Sequence, residues 1–138
     1  MRNLLILAVV VFLVSGCVAN NQRVFDSGGA SQLETRSYQS RVFDTDSQEM
    51  VMRATLSTLQ DLGFVIERAD VVLGTVTALK LDGHMIRITV SIRARGETQT
   101  LVRANAQFNV NPIEDPKHYQ DFFASLEKSL FLTANAVD

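Results

Sequence analysis

The sequence has no tryptophan, only two prolines and a single cysteine. One cysteine cannot form an internal disulfide, and it excludes every zinc site built on paired cysteines. So few prolines, together with 46% hydrophobic residues, are typical of a globular chain and not of a disordered one. Positive charge is not in excess either, since the formal net charge is −2, and the sequence therefore predicts no nucleic-acid partner. The 138 residues suffice for one domain.

The long apolar run at the amino end, residues 4–14, is too short to cross a bilayer, which takes about 20 residues. It follows a positively charged start at residues 1–3, and small residues come after it, which is typical of a secretory signal. The end of this segment, Val14, Ser15, Gly16 and Cys17, resembles the lipobox of bacterial lipoproteins. The resemblance implies cleavage after Gly16, a diacylglycerol on the Cys17 sulfur and an amino end acylated by a fatty acid such as palmitate. Several acyl chains on one residue would hold the chain firmly at a membrane.

Two alternatives remain open for this segment: an ordinary secretory signal with an incidental cysteine, or an uncleaved anchor. Val18 stands where an aspartate would be the usual signal for retention in the inner membrane. In a host with two membranes the sequence therefore predicts the outer membrane, with the domain facing the periplasm. Cleavage removes Arg2, so the mature chain is more acidic still and is not expected to bind anionic lipid through its overall charge.

The remaining sequence predicts residues 17–33 to be the lipidated cysteine with a flexible tether, and residues 34–138 to be one α+β domain. Little apolar periodicity and a Gly-Gly pair indicate the tether, whose expected reach is about 22 Å. Residues 34–44 are predicted as the first strand. A capping box of Asp46 with Glu49, or alternatively Thr45 with Gln48, then predicts a helix that ends at Gly63.

Strict alternation of apolar and polar residues over 86–95 and 102–110 predicts two strands of a sheet with one dry and one wet face. Because paired residues share a face, the loop between these strands must contain an odd number of residues, and three fit, with Gly96 in the left-handed region. Shorter strands are predicted over 64–66 and 71–79, and a hairpin turn at 81–84. Asp115 before Pro116 predicts the start of a second helix. The order β-α-β-β-β-β-α predicts an antiparallel sheet of about five strands with two helices on one face.

Two stretches of the chain carry a family resemblance: SYQSRVFDTDSQEMVMRATLSTLQDLGFVIERADVVLGTVTALK (37–80) and YQDFFASLEKSLFL (119–132). They resemble a family of small, uncharacterised bacterial outer-membrane lipoproteins. In that family an aromatic-Asp-Thr strand end leads into a helix closing with Leu-Gln-Asp-Leu-Gly-Phe, here residues 59–64. The resemblance covers roughly residues 36–132 and supports compartment and topology without implying an activity. The element order also looks like the helix-grip modules of a lipoprotein in the outer-membrane protein assembly machine, a likeness of fold alone.

The wet face of the predicted sheet carries the pattern most relevant to function. Its residues are arginines accompanied by threonine, asparagine and glutamine side chains: Arg87, Arg93, Arg95 and Arg103 with Thr75, Thr77, Asn105, Gln107 and Asn109. Guanidinium groups bind phosphate or carboxylate in a bidentate manner, so this face could hold an acidic partner. The alternative is a solvated face on which arginine stems cover the pleat.

The histidine, aspartate and serine residues of the sequence do not form a pattern typical of a metal site or a catalytic site. His84 with Asp82 and His118 lack the spacing of metal ligands, and paired Asp44 and Asp46 are more simply helix caps. No serine lies in a nucleophile-elbow pattern, so we expect no enzyme, no metal and no cofactor.

A second function class places an apolar ligand between helix and sheet, in a cavity lined by Phe108, Phe122, Phe123 and Phe131. The sequence as a whole favours an outer-membrane-anchored lipoprotein with a non-catalytic periplasmic binding domain, an accessory component of an envelope complex. Its alternative is a carrier for a lipid or small apolar ligand.

Overall fold

The computed structural model describes residues 31–134, with side chains as far as Phe131. The predicted signal, Cys17 and most of the predicted tether lie outside the described residues. The elements in chain order are α1 (Gln32–Gln39), β1 (Ser40–Phe43), α2 (Gln48–Asp61), β2 (Val65–Asp70), β3 (Thr75–Asp82), β4 (His84–Arg95), β5 (Gln99–Phe108), β6 (Asn111–Pro112) and α3 (Pro116–Ala134).

All strands belong to one antiparallel sheet in the order β1-β5-β4-β3-β2, and the two-residue β6 pairs with β5. The predicted class, an α+β domain with a sheet of about five strands, is confirmed. The structure adds the short β6 and a third helix, α1, to the predicted order. None of the helices within residues 31–134 has the length and apolarity that crossing a membrane requires.

The hydrophobic core lies between one face of the sheet and helices α2 and α3. In β3, β4 and β5 the buried side chains are the even-numbered ones, as the alternation predicts. They meet Val51 and Leu59 from α2 and Phe123 and Leu126 from α3, which are all fully buried. The strand side of this core consists of Val76, Ala78, Ile88, Val90, Ile92, Val102, Ala104 and Ala106.

The predicted first strand over residues 34–44 is wrong in its first half, which forms α1. The cause is a capping box that begins inside the predicted tether. Ser31 is the N-cap, and its side chain accepts a hydrogen bond from the backbone N–H of Glu34 at 3.2 Å. The strand is thereby shortened to the four residues of β1.

The predicted N-cap of α2 is displaced by one residue. The Ser47 hydroxyl, not the carboxylate of Asp46, accepts from the backbone N–H of Met50 at 3.3 Å. The predicted end of this helix is confirmed, since Gly63 has a φ of 84° and the backbone N–H of Phe64 donates to Leu59.

The β2–β3 connection was predicted to be a strand from residue 71, but residues 71–74 form a turn. An Asp70 carboxylate oxygen accepts from the backbone N–H of Leu73 at 2.8 Å and holds the chain out of the strand. Gly74 follows with a φ of 58°, and a Cβ there would lie 2.4 Å from the Ile92 carbonyl oxygen. The backbone of β4 therefore approaches Gly74 too closely for any side chain.

The β4–β5 turn agrees with the parity argument. Arg95 pairs with Gln99, so three residues form the loop, and Gly96 has a φ of 65°. The start of α3 is also as predicted, because the Asp115 carboxylate accepts from the backbone N–H of Lys117 at 2.9 Å.

Candidate functional site on the open face of the sheet

None of the helices within residues 31–134 packs on the face of the sheet opposite the core. We call it the open face, and it consists of the odd-numbered residues of β3, β4 and β5 with their neighbours in β1 and β2. The strand register aligns these residues in rows across the sheet. One row is Asp70, Thr75, Ser91, Arg103 and Ser40, and the next is Arg68, Thr77, Thr89 and Asn105. Side chains in such rows have Cβ atoms about 4.5–5.5 Å apart across each strand pair.

A β-bulge in β2 adds two charged side chains to this face. The register shifts between Ile66 and Arg68, so Arg68 pairs with Thr77 and faces the same side as Glu67. Together with Thr77, Thr89 and Arg87 they line a shallow depression in the open face. Arg68 is exposed, and no hydrogen bond or ion pair holds it within the described part of the chain.

Arg87 lies in the next row, between Leu79 and Gln107. Its Nε is 3.8 Å from a Glu67 carboxylate oxygen, which is ion-pair range but too long for a hydrogen bond. That Nε is buried without a hydrogen-bond partner in the described structure, while the side chain as a whole is 43% exposed. The guanidinium therefore has unused donors next to a single carboxylate.

Arg93 has a structural task that the sequence did not reveal. Its guanidinium donates to the carbonyl oxygen of Leu73 and, at 3.3 Å, to that of Gly74. A third bond joins it to the Ile92 carbonyl oxygen at 3.0 Å. All three contacts come from the Nη1 of Arg93, so they fix the β2–β3 turn through one end of the guanidinium.

The two other predicted arginines lie on the same face with fewer restraints. Arg103 is exposed, and its Nε donates to the Ser40 hydroxyl at 3.2 Å. Arg95 is exposed at the end of β4, opposite Gln99. The structure thus brings Arg87, Arg95 and Arg103 to one accessible surface, whereas Arg93 serves the turn.

Positive charge predominates on the open face, as far as residues 31–134 define it. Its cations are five arginines, and its carboxylates are Glu67 at the bulge and Asp70, whose oxygen is occupied by the Leu73 backbone N–H. Hydroxyl and amide side chains separate the arginines. Such a surface can bind anionic oxygens through guanidinium groups and hydrogen-bond the polar groups around them.

The four phenylalanines of the predicted ligand cavity do not line one cavity, although the rings of Phe122 and Phe123 pack on each other at 5.1 Å between centroids. Phe122 and Phe123 are buried in the core, and Phe108 and Phe131 are 38% and 66% exposed. A cleft of about 270 Å³ does open beside Phe122, between the end of α2, the sheet and the start of α3. Asp82 and His118 lie at this cleft, while the His84 ring packs on Phe108 at 4.7 Å between centroids.

Sequence reasoning missed Arg68 because it counted residue 68 as part of the segment that closes β2. The bulge that turns Arg68 to the open face has no signal in the alternation, since an inserted residue shows only when the partner strand is known. No protein-family model matches the chain, and no curated protein matches it.

Proposed function

We propose that this chain is an outer-membrane-anchored lipoprotein whose periplasmic α+β domain is a non-catalytic binding module, an accessory component of an envelope complex. The anchor rests on the lipobox-like segment ending at Cys17. The binding role rests on one observation: a sheet face that no helix of residues 31–134 covers and that carries five arginines but only two carboxylates. The partner is one that presents phosphate or carboxylate groups.

Arg68, Arg87 and Arg103 form the centre of the proposed binding surface. They lie on β2, β4 and β5, in three adjacent rows, and none has a close carboxylate hydrogen bond. Arg93 is left out because its bonds hold the β2–β3 turn. Arg68 and Arg103 have no ion pair within the described residues, and Arg87 has only the 3.8 Å contact with Glu67, so all three are available to an anionic partner.

The test compares two triple variants with the same change in net charge. One is Arg68→Gln, Arg87→Gln and Arg103→Gln; the other removes three exposed cations from the helices, Arg36→Gln, Arg53→Gln and Lys128→Gln. Retention on phosphocellulose is measured at increasing ionic strength, after thermal denaturation has shown that both variants fold. We expect the open-face variant to elute at much lower salt than the wild type, and the helix variant to elute close to it. Equal losses in both variants would show that only net charge matters.

The carrier alternative is less favoured by the structure. Buried side chains fill the centre of the space between helices and sheet. Two open clefts remain at its edges, of about 270 Å³ beside Phe122 and about 410 Å³ between α2 and the β2–β3 turn. Pockets for drug-sized ligands run from about 300 to 1,000 Å³ and enclose most of the ligand, whereas both of these clefts are open to solvent. Mass spectrometry of the protein purified natively from solubilised envelopes separates the two functions: a stoichiometric protein supports the binding module, and co-purifying lipid bound in the domain supports the carrier.

A further inference from the structure

The β2–β3 turn presents three consecutive apolar side chains to solvent. Val71, Val72 and Leu73 are 67%, 96% and 58% exposed. Loop tips are normally polar, and a run of three exposed apolar residues has a cost in solubility that nothing in the fold requires. We call these three residues the apolar tip.

The apolar tip is held rigidly, as a binding element would be. Asp70 accepts from the Leu73 N–H, the Gly74 N–H donates to the Val71 carbonyl at 3.3 Å, and the Gly74 carbonyl accepts from the Ile92 N–H at 2.8 Å. Arg93 adds its bonds to two carbonyls of the same turn. The Val71 carbonyl and both backbone groups of Leu73 and Gly74 are thus bonded within the protein. The side chains of Val71 and Val72 border an open cleft beside α2 and remain largely exposed.

We propose that the apolar tip inserts into the lipid surface to which the chain is anchored, a proposal that rests on the proposed function. The helix cap at Ser31 leaves about 13 residues for the predicted tether after Cys17, whose expected reach is roughly 20 Å. A domain anchored in this way stays close to the bilayer, and the tip contacts lipid when that end of the sheet turns towards it. Tethering makes the contact intramolecular, so a tip too weak to bind membranes alone suffices as a second attachment.

The surroundings of the tip fit a lipid interface. Arg93 lies directly behind it on β4, and Arg95 is two residues further towards the same end of the sheet. Long arginine side chains can extend to the phosphate level when apolar side chains enter the acyl boundary. Glu97 and Asp44 are at the same end of the sheet, so we expect insertion to depend on apolar burial and little on anionic lipid. The tip lies at the end of the strands and the arginines on their flat side, so lipid contact leaves the open face accessible.

The absence of tryptophan gives a direct test. Val72→Trp places the only indole of the chain at the tip, and Val110→Trp places it at a site 85% exposed at the other end of the sheet, about 25 Å away at roughly 3.3 Å per residue. The full-length acylated chain is reconstituted into vesicles with bromine-labelled acyl chains. We expect blue-shifted emission and several-fold stronger bromine quenching for Val72→Trp than for Val110→Trp. Leu73→Trp provides a second probe of the tip if Val72→Trp folds poorly.

The outcomes separate the tip from the anchor. Quenching confined to the tip variants supports insertion. Flotation of the chain with vesicles, but without quenching at the tip, overturns the proposal and leaves the anchor intact. A blue shift without quenching shows that the tip is buried against protein, such as a second copy, and also overturns it. A chain that does not float at all contradicts the anchor, and the proposal falls with it.

Discussion

Tyr119 joins four parts of the fold through one hydroxyl. The oxygen donates to the Ile113 carbonyl at 2.7 Å and accepts from the Ala106 N–H at 3.2 Å and from the Gln39 amide at 3.3 Å. The residue is 1% exposed, and its ring packs on Tyr38 at 5.3 Å between centroids. The hydroxyl is therefore a buried polar junction between α3, β5, α1 and the segment before α3.

Tyr119→Phe removes this junction and keeps the ring. The Ala106 N–H and the Ile113 carbonyl then lose a partner in a buried site, and we expect a loss of about 1–3 kcal/mol in the free energy of unfolding. Urea denaturation measures it. Tyr38→Phe is the matched control, because that hydroxyl has only a long contact of 3.4 Å with Thr35, and it should cost much less. Equal costs in the two variants would contradict the junction.

Alanine substitutions at Gly74 and Gly83 distinguish the cost of a strained backbone conformation from the cost of a steric clash. Both have positive φ, 58° and 69°, but a Cβ at Gly74 would meet the Ile92 carbonyl at 2.4 Å, whereas at Gly83 nothing lies within 4 Å. Gly83→Ala should therefore cost about 1 kcal/mol from φ alone. Gly74→Ala should cost clearly more, because the backbone of β4 must move. Thermal denaturation of both variants checks this order, and a Gly74→Ala protein as stable as Gly83→Ala would refute the close approach.

The helix caps show how an element can begin one residue away from its sequence signal. Asp46, Ser47 and Thr45 are all good N-cap residues, and only the structure shows that the Ser47 hydroxyl receives the Met50 N–H. Ser47→Ala should lower the free energy of unfolding by about 1 kcal/mol. Asp46→Ala should cost less, since an exposed carboxylate near the helix start contributes mainly through the dipole. Chemical denaturation of the two variants decides between them, and a larger loss for Asp46→Ala would restore the predicted cap.

Helices and strands were predictable where a residue pattern ran over many consecutive positions or where a capping residue stood at their end. The alternation in β4 and β5 fixed both strands and the number of residues between them, and Gly63 and Asp115 marked helix ends. The first strand was misread because the Ser31 capping signal lay in a segment that resembles a tether. Residues 71–73 resemble a strand in composition, and only the bonds from Asp70 and Arg93 make them a turn.

The candidate site was predictable in part for the same reason. Which arginines face away from the core follows from the period of two, so Arg87, Arg95 and Arg103 could be assigned to one face from the sequence. The roles of Arg68 and Arg93 depend on contacts across strands, through the bulge and through a turn 19 to 20 residues earlier in the chain. No single-sequence pattern contains that information.

At the scale of the whole molecule, the proposed membrane anchor can be tested directly. Cys17→Ser removes the sulfur that the lipobox reading requires for acylation, and acylation precedes cleavage in that reading. We expect an uncleaved precursor, held by its apolar run of residues 4–14. Intact-mass measurement of the membrane fraction checks both the length and the lipid. A membrane-bound variant of mature size would contradict the lipobox.

The strand order has a mechanical consequence. β1 pairs with β5 across 63 residues of sequence, while β2 to β5 are joined by successive hairpins, and α1 contributes no buried side chain. In an anchored protein that holds a partner on its open face, tension enters at the amino end and loads α1 and the four-residue edge strand β1 first. Their release would free 12 residues, a contour of about 40 Å at roughly 3.3 Å per residue, and would lengthen the connection by that contour less the length they already span. The β2–β5 hairpins would stay paired. The domain would then yield in two steps under force, and a single-molecule pulling trace should show a short extension before the main unfolding event.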